Sequence, residues 1–109
     1  MHILEISQFL TEGVQKLPDV CRFKFPADLE GELIESQLAL AIVATECTLG
    51  QPKVRINAAY SISKDRTRVV IDVSTNVGEQ IAQIFTGLMM RQLGEDGFSV
   101  ERLRKASDE

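Results

Sequence analysis

Between residues 54 and 75 the chain constrains its own geometry by alternation. Val54, Ile56, Ala58, Tyr60 and Ile62 alternate with Arg55, Asn57, Ala59, Ser61 and Ser63. Beyond Lys64-Asp65, Val69, Ile71 and Val73 take one parity, while Arg66, Arg68, Val70, Asp72 and Ser74 take the other. Strand side chains repeat every two residues, so each run has one apolar face and one largely polar face. Folding back at Lys64-Asp65 pairs Tyr60 with Val69, Ala58 with Ile71 and Ile56 with Val73. That register puts both apolar sets on one side, and a slip of one residue would mix them. It also gathers Arg55, Arg66 and Arg68 on the outer side.

The flanking segments supply helices and two further strands. Ile3, Ile6, Leu10, Val14 and Leu17 recur at helical spacing and predict an amphipathic helix over residues 3–17, stopped by Pro18. Cys21, Phe23 and Phe25 alternate with Arg22 and Lys24, a short strand ending at Pro26. Residues 29–47 read as a helix with Asp28 as N-cap and Glu30 and Glu32 in the first turn. Leu29, Leu33, Ser36, Leu40, Val43, Ala44 and Cys47 share one face of it. Leu38, Leu40 and Ile42 also alternate, and Ile42, Val43, Thr45 and Thr48 are β-branched, so a strand over residues 38–48 is the competing reading. Asn76 with Glu79 resembles a capping box that opens a helix ending at Gly94. Phe98, Val100 and Arg102 alternate in a last short strand, and residues 104–109 read as a frayed tail.

Apart from the first helix, the order is β-α-β-β-α-β. With right-handed crossovers it predicts an α+β, ferredoxin-like fold: an antiparallel sheet with both helices on the face carrying Phe23, Ile56, Tyr60, Ile71 and Val73. The N-terminal helix (1–17) is an addition to an α/β sandwich core over residues 20–103, all within a single domain of 109 residues.

Composition narrows the classes of function. The apolar share of 44% and charged share of 26% are globular. A net charge of −4 and a pI near 5.0 oppose non-specific nucleic-acid binding, although a local basic face could override the global field. No run approaches the ~20 apolar residues of a membrane span. The opening Met1-His2-Ile3-Leu4-Glu5 lacks the basic region and cleavage site of a secretory signal, so the expected address is cytoplasmic. Cys21 and Cys47 lie in no CxxC or Cys/His cluster and read as reduced, buried residues, with a disulfide or redox pair as the competing reading.

Little in the chain suggests catalysis. The single histidine is His2. The seven glycines form neither GxGxxG nor GxxxxGK[ST]. No metal-ligand spacing, cofactor motif or nucleophile elbow is present, so neither a catalytic residue nor a cofactor or metal is assigned. Asp72, on the outer face beside Asn57 and the arginines, is the strongest acid–base candidate, and its bland alternative is a structural ion pair. The acidic run Asp28, Glu30, Glu32 and Glu35 reads as a helix N-terminus, since calcium loops need regularly alternating oxygen ligands and a central glycine.

Two recognition surfaces remain. Arg22, Lys24, Arg55, Asn57, Arg66 and Arg68 would share the open sheet face, where guanidinium groups could hold a phosphate, a carboxylate or an acidic segment. The alternative is that they only solvate it. With five phenylalanines, one tyrosine and no tryptophan, base stacking has little to work with. The second surface combines Ala59 and Val70, a small apolar spot at the sheet edge, with Ala82, Thr86, Met89 and Met90 on the helix over residues 76–93. The expectation is a non-catalytic interaction or regulatory module, homodimeric and contacting protein. Binding of an anionic ligand or nucleic acid through the basic face is the alternative, and no membrane partner is expected.

Overall fold

The computed structural model describes residues 19–103. The helix expected over residues 3–17 and the tail at 104–109 lie outside the described residues. The rest is α+β, with three helices and a four-stranded antiparallel sheet. In chain order the elements are β1 (Val20–Lys24), α1 (Gly31–Leu49), α2 (Gln51–Asn57), β2 (Tyr60–Ile62), β3 (Arg68–Asp72), α3 (Asn76–Leu93), a 3₁₀ turn (Glu95–Gly97) and β4 (Ser99–Leu103). The strands lie in the order β2-β3-β1-β4.

Register explains the core. Cys21 sits opposite Ile71 and Phe23 opposite Val69, while Tyr60 and Ile62 oppose Ile71 and Val69 from the other side. These residues share one face, and Phe23, Tyr60, Val69 and Ile71 are buried there with Ile34 and Leu38 of α1 and Phe85 of α3. Phe23 and Phe85 meet edge to face with ring centroids 4.9 Å apart, the arrangement that aromatic quadrupoles prefer.

The hairpin keeps the expected parity but not the expected register. Tyr60 pairs with Ile71 rather than Val69, a shift of two residues that leaves the apolar sets on the same face. The shift accommodates a wider turn: Ser63 N–H donates to the Arg68 carbonyl at 2.9 Å, and Arg66 takes φ 59° in the left-handed region. Asp65 organises this turn, accepting from Ser63 Oγ at 2.7 Å, Thr67 Oγ1 at 2.8 Å and Thr67 N at 3.1 Å.

The strand expected from residue 54 is corrected. Residues 51–57 are helical, and only residues 60–62 pair with β3. Gly50, at φ 97°, stops α1 and turns the chain, and Pro52 in the first turn of α2 is pre-set for a new helix. Val54 is therefore buried at 1% exposure while Ile56, expected in the core, stands 77% exposed.

The doubtful segment is helix throughout, since α1 runs unbroken through residues 38–48. Glu30, not Asp28, occupies its N-cap position, without a side-chain cap. Its buried face is also not the expected one. Ile34, Leu38, Ala41, Ile42 and Thr45 point into the core, whereas Leu40 and Val43 remain about half exposed, at 50% and 49%. Thr45, fully buried, satisfies its hydroxyl by donating to the Ala41 carbonyl at 2.8 Å. In α3, Thr75 rather than Asn76 is the N-cap; its Oγ1 accepts from Gly78 N at 3.2 Å.

Candidate functional site

Of the six residues expected on the basic face, the sheet brings together three. Arg22 sits opposite Val70 and Glu101, and Lys24 sits opposite Arg68 and Ser99. The Arg22 guanidinium donates to Glu101 at 2.8 Å, a bond that holds the Glu101 carboxyl below its ordinary range. Arg22 Nε is buried without a hydrogen-bond partner. Lys24 and Arg68 are both exposed, directly opposed, and in no salt bridge among the described residues. Like charges so placed repel, while Lys24 also acts on the Glu101 carboxyl and Arg68 on that of Asp65.

The other three are elsewhere. Arg55 and Asn57 ride on α2, where Arg55 reaches Glu46 at 3.9 Å and the Asn57 amide donates to the Lys53 carbonyl at 2.9 Å. Arg66 occupies the hairpin turn, packs its aliphatic stem over Gly31 and reaches Glu35 of α1 at 3.7 Å. The helical fate of residues 51–57 removes the first two, and the left-handed backbone of Arg66 turns the third towards α1.

The expected apolar surface is corrected similarly. Ala59, Ala82 and Met89 are core residues, at 5%, 6% and 0% exposure. Ala59 does not pair with Val70: its carbonyl accepts from Asp72 N, while Val70 faces Ser61. Val70 and Thr86 are half-buried, and Met90 alone of the six is exposed. Other exposed apolar residues lie on the outside of α1, where Leu40 and Val43 share a stripe with the exposed Cys47. The spacing of these residues was visible in the sequence, but their stripe was assigned to the core.

Asp72 has a structural occupation. Its Oδ1 accepts from Ser74 N at 2.9 Å and Ser74 Oγ at 2.6 Å, closing the turn that leads into α3. Asn57 is not beside it on the sheet.

A cleft of about 320 Å³ opens beside α3, lined by Cys21, Val73, Glu79, Ala82, Gln83, Thr86 and Arg102. Arg102 lies between Glu79, at 3.4 Å, and Asp19, at 3.8 Å. Burial pushes the Cys21 thiol up, Arg102 draws it partly down, and Glu79 adds to the rise. A thiol kept protonated in this way is a weak nucleophile. Cys47 is exposed rather than buried, and both cysteines are free. Among the described residues no group of three or more His, Cys, Asp or Glu is placed to hold a metal, and no helix is long and apolar enough to cross a membrane.

No protein-family model, no curated protein and no solved structure matches the chain.

Proposed function

We propose that this protein is a non-catalytic interaction or regulatory module that works by associating with protein, itself included. One observation carries the reading: α1 is apolar on both sides. One side fills the core, while Leu40 and Val43 on the other stay half exposed along with Cys47. Apolar residues clustered on a surface, rather than scattered singly, mark an interaction site. The antiparallel order β2-β3-β1-β4, with α1–α2 joining β1 to β2 and α3 joining β3 to β4, supports a ferredoxin-like reading of the scaffold. A cytoplasmic address and the lack of any catalytic role belong to the same proposal; the protonated Cys21 thiol and the turn-bound Asp72 carboxylate support the second.

A second reading has its own observation. Lys24 and Arg68, opposed across the β1–β3 ladder, could clamp a phosphate or carboxylate group, as in an anionic ligand or nucleic acid. The two readings separate by salt and by substitution. Association through α1 survives 0.5 M salt and nuclease treatment but is lost in Val43→Glu. Anion binding falls steeply with salt and is lost in Arg68→Glu while Val43→Glu retains it. Co-purification of partners with each variant, at low and high salt, distinguishes them. A chain whose associations ignore both substitutions would sink both readings.

A further inference from the structure

We propose that residues 3–17, the amphipathic segment that precedes the described residues, lie as a helix along the cleft between α3 and β4. The inference is independent of the interaction reading above, which concerns the outside of α1. It starts from where the described chain begins. Asp19 is the first described residue, its carbonyl accepts from Val73 N at 2.8 Å, and its carboxylate stands 3.8 Å from Arg102. Val73 and Arg102 both line the cleft. Only Pro18 separates Asp19 from Leu17, the last apolar residue of the segment's stripe. A helix ending at Leu17 is thus tethered at the mouth of the cleft, through a connection as short as those that commonly join helix to strand.

Direction and length follow from the same anchor. Asp72, the last residue of β3, sits opposite Val20, so α3 starts beside the start of β1. The segment therefore meets the cleft at its Glu79 end and runs back antiparallel to α3. Residues 3–17 span ~22 Å as a helix, and the side of α3 from Glu79 to Met90 spans ~17 Å, so the segment is long enough to cover it. With Leu17 level with Glu79, the common rise sets Val14 level with Ala82, Leu10 with Thr86 and Ile6 with Met90. The 3-4-4 spacing of the stripe thus matches that of the side it faces. That side ends in apolar surface left open. Met90 is 40% exposed, and Val100, opposite the buried Phe23 and on the same face of β4 as Arg102, is 43% exposed. Docking removes both from water together with the stripe.

The two native cysteines report the position of the segment: Cys21 lines the cleft, and Cys47 is exposed on the outside of α1. In the full chain carrying Val14→Cys, a short bis-maleimide is expected to join position 14 to Cys21 within one molecule, as read by mass spectrometry. Linkage to Cys47, linkage only between molecules, or no linkage overturns the inference. The rate at which iodoacetamide alkylates Cys21 gives a second measurement. Leu10→Glu puts a charge in the middle of the docked stripe and is expected to raise that rate by at least about fivefold, because the cleft opens more often. Cys47 should keep its wild-type rate, and Glu12→Lys, on the opposite side of the segment, should change neither. A Cys21 rate unmoved by Leu10→Glu also overturns the inference. Should Leu10→Glu unfold the chain, which circular dichroism detects, the cross-link alone decides.

Discussion

Gly78 lies directly against the carbonyl oxygen of Asp72, so that the first turn of α3 rests on the end of β3 with no room for a side chain between them. A Cβ at this position would run into backbone, which cannot rotate aside as a side-chain tip could. Gly78→Ala is therefore expected to cost about 3 kcal/mol, despite alanine's better helix propensity, by the usual penalty for overpacking. Thr75→Ala, which removes the cap on the same turn, should cost about 1 kcal/mol. Urea denaturation of the two variants checks both values, and a stabilised Gly78→Ala would contradict the close approach.

Val54 and Ile56 give a sharp test of α2. On a strand they would share a face, whereas here Val54 is buried and Ile56 is 77% exposed. Val54→Ala should cost about 2 kcal/mol, and Ile56→Ala should stay within about 0.5 kcal/mol of wild type. Equal losses at the two positions would restore the strand.

These residues also show where the sequence was readable. The parity of Tyr60, Ile62, Val69 and Ile71 was legible, because a period of two leaves no other way to hide them. The helix at 76–93 was legible too, with Gly94 as its stop. Residues 54–58 alternated just as well, but Gly50 at positive φ and Pro52 in the next turn favoured a second helix, and a five-residue alternation cannot outvote them. The orientation of α1 was ambiguous for a different reason. With Leu33, Leu40 and Val43 on one side and Ile34, Leu38 and Ile42 on the other, periodicity points both ways, and only packing against Phe23 and Phe85 chooses. The basic face shrank from six residues to three because Arg55 and Asn57 ride on that second helix and Arg66 turns away at its left-handed hairpin position.

The hairpin turn carries a pH signature. Hydrogen bonds from the Ser63 side chain and from Thr67 lower the Asp65 carboxyl from its ordinary value of 3.8 to about 2. A carboxyl whose pKa is lower in the folded chain adds stability that is fully present above its ordinary value. That stability is lost as pH falls from 3.8 towards about 2. Asp65→Asn should therefore be less stable than wild type at pH 7. The gap should be constant down to about pH 5 and close on further acidification. Urea midpoints at a series of pH values measure it, and a gap unchanged into strong acid would rule out the carboxylate as its source.

Relief of the Lys24–Arg68 opposition is expected to stabilise the sheet. Arg68→Glu converts a cross-strand repulsion into an attraction, a gain of about 0.2–1 kcal/mol at low salt that fades as salt is added. If the pair instead binds an anion, the same substitution abolishes protection by added inorganic phosphate in a thermal melt. Comparing melts with and without phosphate reads both effects in one experiment.

The order β2-β3-β1-β4 also bears on how the chain reaches its native state. β1 is made first among these strands, yet its two neighbours are the last of the four to be made, and the Arg22–Glu101 bond closes a separation of 79 residues. Until β3 and β4 emerge, Phe23 has no sheet to join, and both ladders that order β1 come from residues distant in sequence. Assembly of the sheet therefore waits on long-range closure, which slows folding relative to a fold built from local contacts. Until then the apolar face of β1 stays uncovered, and such transiently exposed apolar segments are where partly folded chains aggregate.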